Sequence, residues 1–512
     1  MRIWRGLAFI LIALATPAWG QMRPPVEQRP DFSQMSRAEI RAVTRAMPKG
    51  GDLHIHLSGA PYAETYLAWA AVDGLCVDTV RWALTEPCSP GGDLILASAL
   101  TPDQRSLMMD SLSTRRPDFA GRNGHDQFFT AFDRFGWTRD DRRGDMLADL
   151  MATLAAQNTY YVEVMWMPQS RAARDLGAAS GDGADLAAMG AAMDRQLPGL
   201  VAAAIEETNA VEARARQLLA CDPPTDLGPD DIWMGHGAPG CGVTVRYLIQ
   251  ANRLLPPAQT YGQLALGEAL IAVDRRWVGL QLVAPEDHPN ALANYDQHME
   301  MFRHLADRGV PSSLHAGELT LDYATPLEIS DHVRLAVDAG ARRIGHGVAI
   351  AYERYASELV QAMADQRVAV EINLTSNATI LGVEGEDHPV IWLREAGVPV
   401  VYTTDDPGIS RSDLSSEYAR AVFDTGATYE DLVTSARNAL AFSFLPGEGI
   451  WLDPGRYEQP SPVCADYLRT GQETRGCEDL RQSSDRAAAQ LRFEESLAGF
   501  EQDWSERHRE PR

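Results

Sequence analysis

The run Gly51-Asp-Leu-His-Ile-His-Leu57 places two imidazoles, His54 and His56, two residues apart in an apolar segment. Alternate side chains of an extended strand share a face, so both rings project to the same side, a spacing that suits one metal ion. His315-Ala-Gly-Glu318 adds a third imidazole and a carboxylate, and Gly345-His346-Gly347 sets a fourth between glycines that let a ligand approach the backbone. Thr403-Thr-Asp-Asp-Pro407 carries two adjacent carboxylates, which repel each other unless a cation or a donor sits between them. His54, His56, His315 and Asp405 together make a zinc shell of three neutral imidazoles and one carboxylate, with a position left for water and one ion per protomer. Glu318 and Asp406 are surplus to that shell, which suits an open catalytic site better than a closed structural one. The sole lysine, Lys49, precedes the first of these motifs, so a two-metal centre bridged by a lysine on a middle strand is excluded.

Positioning these groups requires elements that end where they stand. Short apolar segments read as strands at Asp52 to His56, Tyr160 to Met165, Val243 to Ala251, Val278 to Val283, Pro311 to Ala316, Arg343 to His346, Ala369 to Asn373 and Val400 to Thr404. Helical periodicity fills the gaps at Arg142 to Asn158, Leu186 to Leu219, Asn290 to Arg308, Thr325 to Ala339 and Ala356 to Gln366. Eight such units predict an α/β fold, a closed (β/α)8 TIM barrel, with an open doubly wound sheet as the alternative. All four polar clusters then fall at strand C-termini, the face on which barrel enzymes build their sites.

Around the barrel, expected over 49–449, lie a lead with a helix from Ser36 to Ala46 (21–48), irregular insertions at about 72–122 and 219–242, and a C-terminal extension (450–512) ending in a charged helical stretch, Asp479 to His508. Residues 1–20, with Arg2, Arg5, an apolar run from Leu7 to Ala15 and small residues near Gly20, read as a secretory signal peptide too short to span a bilayer. A secreted or periplasmic location follows, with no membrane attachment after signal removal. The six cysteines fall into local pairs, 76 with 88, 221 with 241 and 464 with 477, and an exported chain meets an oxidising environment in which they join as neighbours. A formal charge of −25 argues against nucleic acid as a partner.

The ordered set His54-x-His56, His315-Ala-Gly-Glu318, Gly345-His346-Gly347 and Asp405-Asp406-Pro407 resembles the adenosine deaminase family, over about residues 36 to 445. Met47-Pro-Lys-Gly-Gly51, with the leader and the inserted loops, looks like the secreted, growth-factor-related type. The resemblance implies zinc-dependent hydrolytic deamination of adenosine and 2′-deoxyadenosine, with a small-molecule purine nucleoside as partner. It implies that Glu318 protonates the ring nitrogen beside the reacting carbon, that His346 and Asp405 orient the attacking water, and that Asp406 bonds the five-membered ring.

Two positions depart from the family pattern at the substrate. Ser58 stands where an aspartate often holds the ribose 5′-hydroxyl, and Ala284, followed by Pro285, stands where a glycine offers its N–H to the purine. Sugar recognition is therefore open, and another aminopurine or a modified adenosine is an alternative substrate. AMP is disfavoured at this level, because no basic cluster shows near the strand ends. A non-catalytic zinc-containing binding or signalling protein is the alternative of a different class.

Overall fold

A computed structural model describes residues 23–139, 142–222 and 237–508. Its centre is a ring of eight parallel strands, β1 (Asp52–His56), β2 (Tyr161–Trp166), β3 (Thr244–Asn252), β4 (Trp277–Val283), β5 (Ser313–Ala316), β6 (Arg343–His346), β7 (Ala369–Ile372) and β8 (Val400–Tyr402). Hydrogen bonding divides them into two four-stranded sheets, β1 to β4 and β5 to β8, each in chain order. Single parallel bridges join the sheets at both seams, Leu280 with Ser312 and Ile55 with Asp405. At the second seam the His56 N–H donates to the Asp405 carbonyl at 3.0 Å and the Asp405 N–H to the His54 carbonyl at 2.8 Å. That seam carries three of the four expected metal ligands, so the contact that closes the ring also brings His54, His56 and Asp405 together.

The strands lie where the sequence places them because Val, Ile, Leu and aromatic residues dominate β2, β3, β4 and β8, while β1, β5, β6 and β7 mix apolar residues with the polar ones that build the site. Strands buried on both faces are rich in apolar residues, and all six residues of β2 are buried. Polar side chains in the strands meet inside the ring. Arg343, fully buried, donates to Glu163 and to Glu371, and its guanidinium lies 3.8 Å from the centre of the Phe444 ring. Such a cluster holds its members in one geometry, because any of them left alone would be an uncompensated buried charge.

Three helical expectations are subdivided. Leu186 to Leu219 is two helices, Leu186–Met193 and Leu197–Leu219, the second carrying Pro198 in its first turn. Proline has no N–H to continue a preceding helix but fits a helix start. Asn290 to Arg308 divides at Asn294 into Pro289–Ala293 and Tyr295–Ala306, and Thr325 to Ala339 into Pro326–Ile329 and His332–Asp338.

The stretch about 72–122, expected to be irregular, contains a small antiparallel sheet of Cys76–Asp78, Ala83–Thr85 and Leu94–Leu96 and the helix Pro102–Ser111. Three-residue strands are too short to leave a periodic signal. Disulfides join Cys76 to Cys88, Cys221 to Cys241 and Cys464 to Cys477, as neighbour pairing predicts. Residues 1–20 and most of the 219–242 insertion lie outside the described residues. The tail forms a second small core around Ile450, Trp451, Tyr457 and Leu491, and its long helix Asp485–Arg507 packs on Tyr429–Ala441.

Candidate active site and metal centre

His54, His56, His315 and Asp405 each offer a ligand atom within 4.8 Å of the others, and all four are buried. The Nε2 atoms of His54 and His315 lie 3.1 Å apart, and Asp405 Oδ1 lies 3.5 Å from His54 Nε2 and 3.3 Å from His56 Nε2. Hydrogen bonds on the far side of two rings fix which nitrogen faces inward. His54 Nδ1 donates to Glu371 Oε2 at 2.8 Å, and His56 Nδ1 donates to Gln250 Oε1 at 3.0 Å. In the neutral rings both Nε2 lone pairs therefore point at a carboxylate oxygen, a repulsive arrangement that a cation among them turns into coordination. The donor set fits a divalent metal of the zinc type.

The backbone is bent to achieve this. His346 and Asp405 adopt φ of 66° and 61°, a left-handed conformation that costs non-glycine residues about 1–2 kcal/mol each. Gly345 is a close approach of another kind, since a Cβ there would stand 2.7 Å from Cε1 of His54. Ser376 Oγ donates to Asp405 Oδ2 at 2.6 Å and leaves Oδ1 to face the histidines.

Glu318 follows β5 and turns into the same space. Its Oε1 is buried, has no hydrogen-bond partner and lies 3.6 Å from His346 Nδ1. Burial, reinforced by the charges of Asp405 and Glu286, pushes the Glu318 carboxyl well above the ordinary range, which favours its protonated form. Burial holds His346 down to about 4, a neutral imidazole whose Nδ1 donates to Asn377 Oδ1 at 2.8 Å. Asp406, raised to about 8 by burial and by Asp405 against the pull of His56, keeps an unpartnered Oδ1. Gly59 makes room for it, since a Cβ there would overlap that oxygen.

All six residues expected to carry metal or proton chemistry thus meet in one place. Of the other expected sugar and base contacts, Ser58 lines the adjoining cavity, and Ala284 directly follows β4. Ala284 has φ of 87°, the conformation for which glycine is suited.

Besides Ser376 and Asn377, four further supporting residues are absent from the expectations. Glu371 and Gln250 orient His54 and His56. Glu286 accepts from the N–H groups of Gly317 at 3.1 Å and Glu318 at 2.7 Å, and Arg253 donates to the His315 carbonyl at 3.0 Å. Burial opposes the Glu286 charge, yet His332 and Arg253 hold it down to about 2. A polar residue in the middle of an apolar strand, as Gln250 and Glu371 are, is the signal that identifies such partners.

Residues 234–450 match the family model described as adenosine deaminase. An adenosine deaminase from Shewanella loihica is 29% identical over 204 residues, covering 39% of this chain and 57% of that protein. The chain spans a little over half the length of the first curated relatives it matches. Among solved structures, an Arabidopsis N6-mAMP deaminase aligns with a TM-score of 0.51 at 20% identity, over 83% of this chain and 97% of that one. A zinc-bound amidohydrolase from Burkholderia ambifaria aligns with a TM-score of 0.50 at 18% identity, over 82% and 92%. His54 and His56 lie outside the matched segment, and the fold brings them to it. Across residues 234–450 the chain matches the adenosine deaminase family, on an amidohydrolase-like α/β barrel.

Proposed function

We propose that this protein is a zinc-dependent hydrolase that replaces the amino group of adenosine and 2′-deoxyadenosine by oxygen, releasing ammonia. The observation that carries the reading is Glu318: a buried carboxyl, without a partner on Oε1, beside a cluster of metal donors and pushed toward its protonated form by burial. A zinc ion held by His54, His56, His315 and Asp405, one per protomer, would supply the Lewis acidity that makes water nucleophilic near pH 7. Glu318 gives its proton to the ring nitrogen next to the reacting carbon, which makes that carbon electrophilic, and then carries a proton to the departing amine. Neutral His346 and Asp405 orient the incoming water. Asp406, protonated by its surroundings, donates to a nitrogen of the five-membered ring.

A catalytic reading is favoured over a purely structural zinc site because Glu318 and Asp406 keep unpartnered oxygens that no fold contact uses. We place the protein in an extracytoplasmic compartment and with the secreted, growth-factor-related deaminases. The leader-like N-terminus and three disulfides among the described residues support this, since such bonds persist in oxidising surroundings.

The test is direct. Purified zinc-loaded protein mixed with adenosine should deplete its ultraviolet absorbance while inosine and ammonia appear in equal amounts. Intact adenosine after prolonged incubation with fully loaded protein would defeat the proposal.

A further inference from the structure

A cavity of about 750 Å³ adjoins the metal donors at the C-terminal ends of β1 to β4. Its lining includes Ser58 and Gln250, and Gln250 accepts from His56 Nδ1 at 3.0 Å, so one wall residue of the cavity touches a metal donor directly. Its outer wall is not made by strand ends. Helix Ser170–Ser180 contributes Arg171 and Arg174, and helix Arg143–Ala155 contributes Arg143. This is why a search for basic residues at the strand ends finds none.

The three arginines are not equivalent. Arg143 is already used, in an ion pair with Glu207 and 5.6 Å above the Trp166 ring. Arg171 and Arg174, one helical turn apart on the same face, have no hydrogen bond or ion pair with any described residue. Asp175 also lines the wall, so two free guanidiniums stand against one free carboxylate, in a chain whose net charge is −25. The N-cap of their helix is already met by a carboxylate, since the Gln169 N–H donates to Glu207 at 3.0 Å, but Glu207 is shared with Arg143 and leaves Arg171 and Arg174 without a counter-charge. A second observation points to a ligand: Trp166 lines the same cavity, is only 3% exposed, and its indole N–H has no partner. A buried N–H of this kind costs free energy until an acceptor arrives.

We infer that Arg171 and Arg174 form an anion subsite for a phosphate on the 5′ carbon of the substrate sugar, so that purine nucleoside 5′-monophosphates are preferred to unphosphorylated nucleosides. The inference rests on the proposed deamination for its orientation: with the base at Glu318 and Asp406, the sugar passes Ser58 and its 5′ end enters the arginine-lined space. Ser58 in place of a carboxylate fits this, since a carboxylate there would repel the phosphate.

The experiment uses the full zinc-loaded chain and compares kcat/KM for adenosine, adenosine 5′-monophosphate and adenosine 3′-monophosphate. In parallel, calorimetric titration with inosine and inosine 5′-monophosphate reads binding without turnover. The 5′-monophosphates should be favoured at least tenfold in both measurements. The double variant R171Q/R174Q should reduce that ratio at least tenfold, mainly through KM, while R171K/R174K retains part of it. Equal or better use of the unphosphorylated compounds, a preference for the 3′-phosphate, or a ratio unmoved by R171Q/R174Q would each overturn the inference. Absence of turnover with all three adenosine compounds would instead count against the deaminase reading, and the titrations would still decide the subsite.

Discussion

Glu371 reaches from β7, past β8, to accept the Nδ1–H of His54 on β1 at 2.8 Å. The same carboxylate takes the Ser313 hydroxyl at 2.9 Å and the Arg343 guanidinium. His54 is therefore oriented by a buried carboxylate that is itself fixed by a buried cation. Burial opposes the Glu371 charge, and Arg343 and His54 hold it down to about 2. The chain of contacts from Arg343 through Glu371 to His54 keeps one imidazole lone pair aimed at the metal position.

Glu371→Gln should retain the fold and weaken zinc binding about 10- to 100-fold, the usual loss when the carboxylate behind a histidine ligand is removed. Competition with a chromophoric chelator measures it. Affinity within threefold of the parent would show that His54 is held by packing alone.

Glu318→Gln should keep its metal and lose about 10² to 10⁴-fold in kcat, because an amide cannot cycle a proton. Zinc content by elemental analysis and turnover of adenosine are read on the same sample. Activity within a few-fold of the parent would remove Glu318 from the proton path.

Ala284→Gly should stabilise the protein by about 1 kcal/mol, since Ala284 holds φ of 87° and glycine adopts that conformation without strain. Part of this is offset by the greater freedom of glycine in the unfolded chain. Denaturant midpoints at constant m-value are the measurement, and a clear loss of stability would contradict the strain argument.

Lys49, 1% exposed, donates to the Gln157 carbonyl at 2.7 Å and the Met47 carbonyl at 3.1 Å, and burial lowers its pKa to about 7. In the unfolded chain it titrates near 10.4. Below about pH 7 the ammonium is charged in both states, and the full cost of burying it is present. Between about pH 7 and 10 the unfolded state binds the extra proton, so stability rises with pH. Lys49→Met should therefore be more stable than the parent at pH 6.5, by an advantage that shrinks by about 1.4 kcal/mol per pH unit between about 7 and 10. Paired unfolding curves at pH 6.5 and 9 test this, and a pH-independent difference would contradict it.

The order of the eight strands and the four motifs at their ends were legible in the sequence because strands buried on both faces are rich in apolar residues and each motif is local. So were the disulfides, whose partners are 12, 20 and 13 residues apart. The tertiary structure alone decided what holds those motifs in register. Glu371 and His54 are 317 residues apart, and Gln250 and His56 are 194 apart. No local pattern encodes such pairs, because a hydrogen bond across the barrel depends on strand register and ring closure rather than on spacing along the chain. The same holds for Arg171 and Arg174. Read along the chain they are ordinary surface cations, and only the folding of their helix over the ends of β1 to β4 makes them the wall of the cavity beside the site.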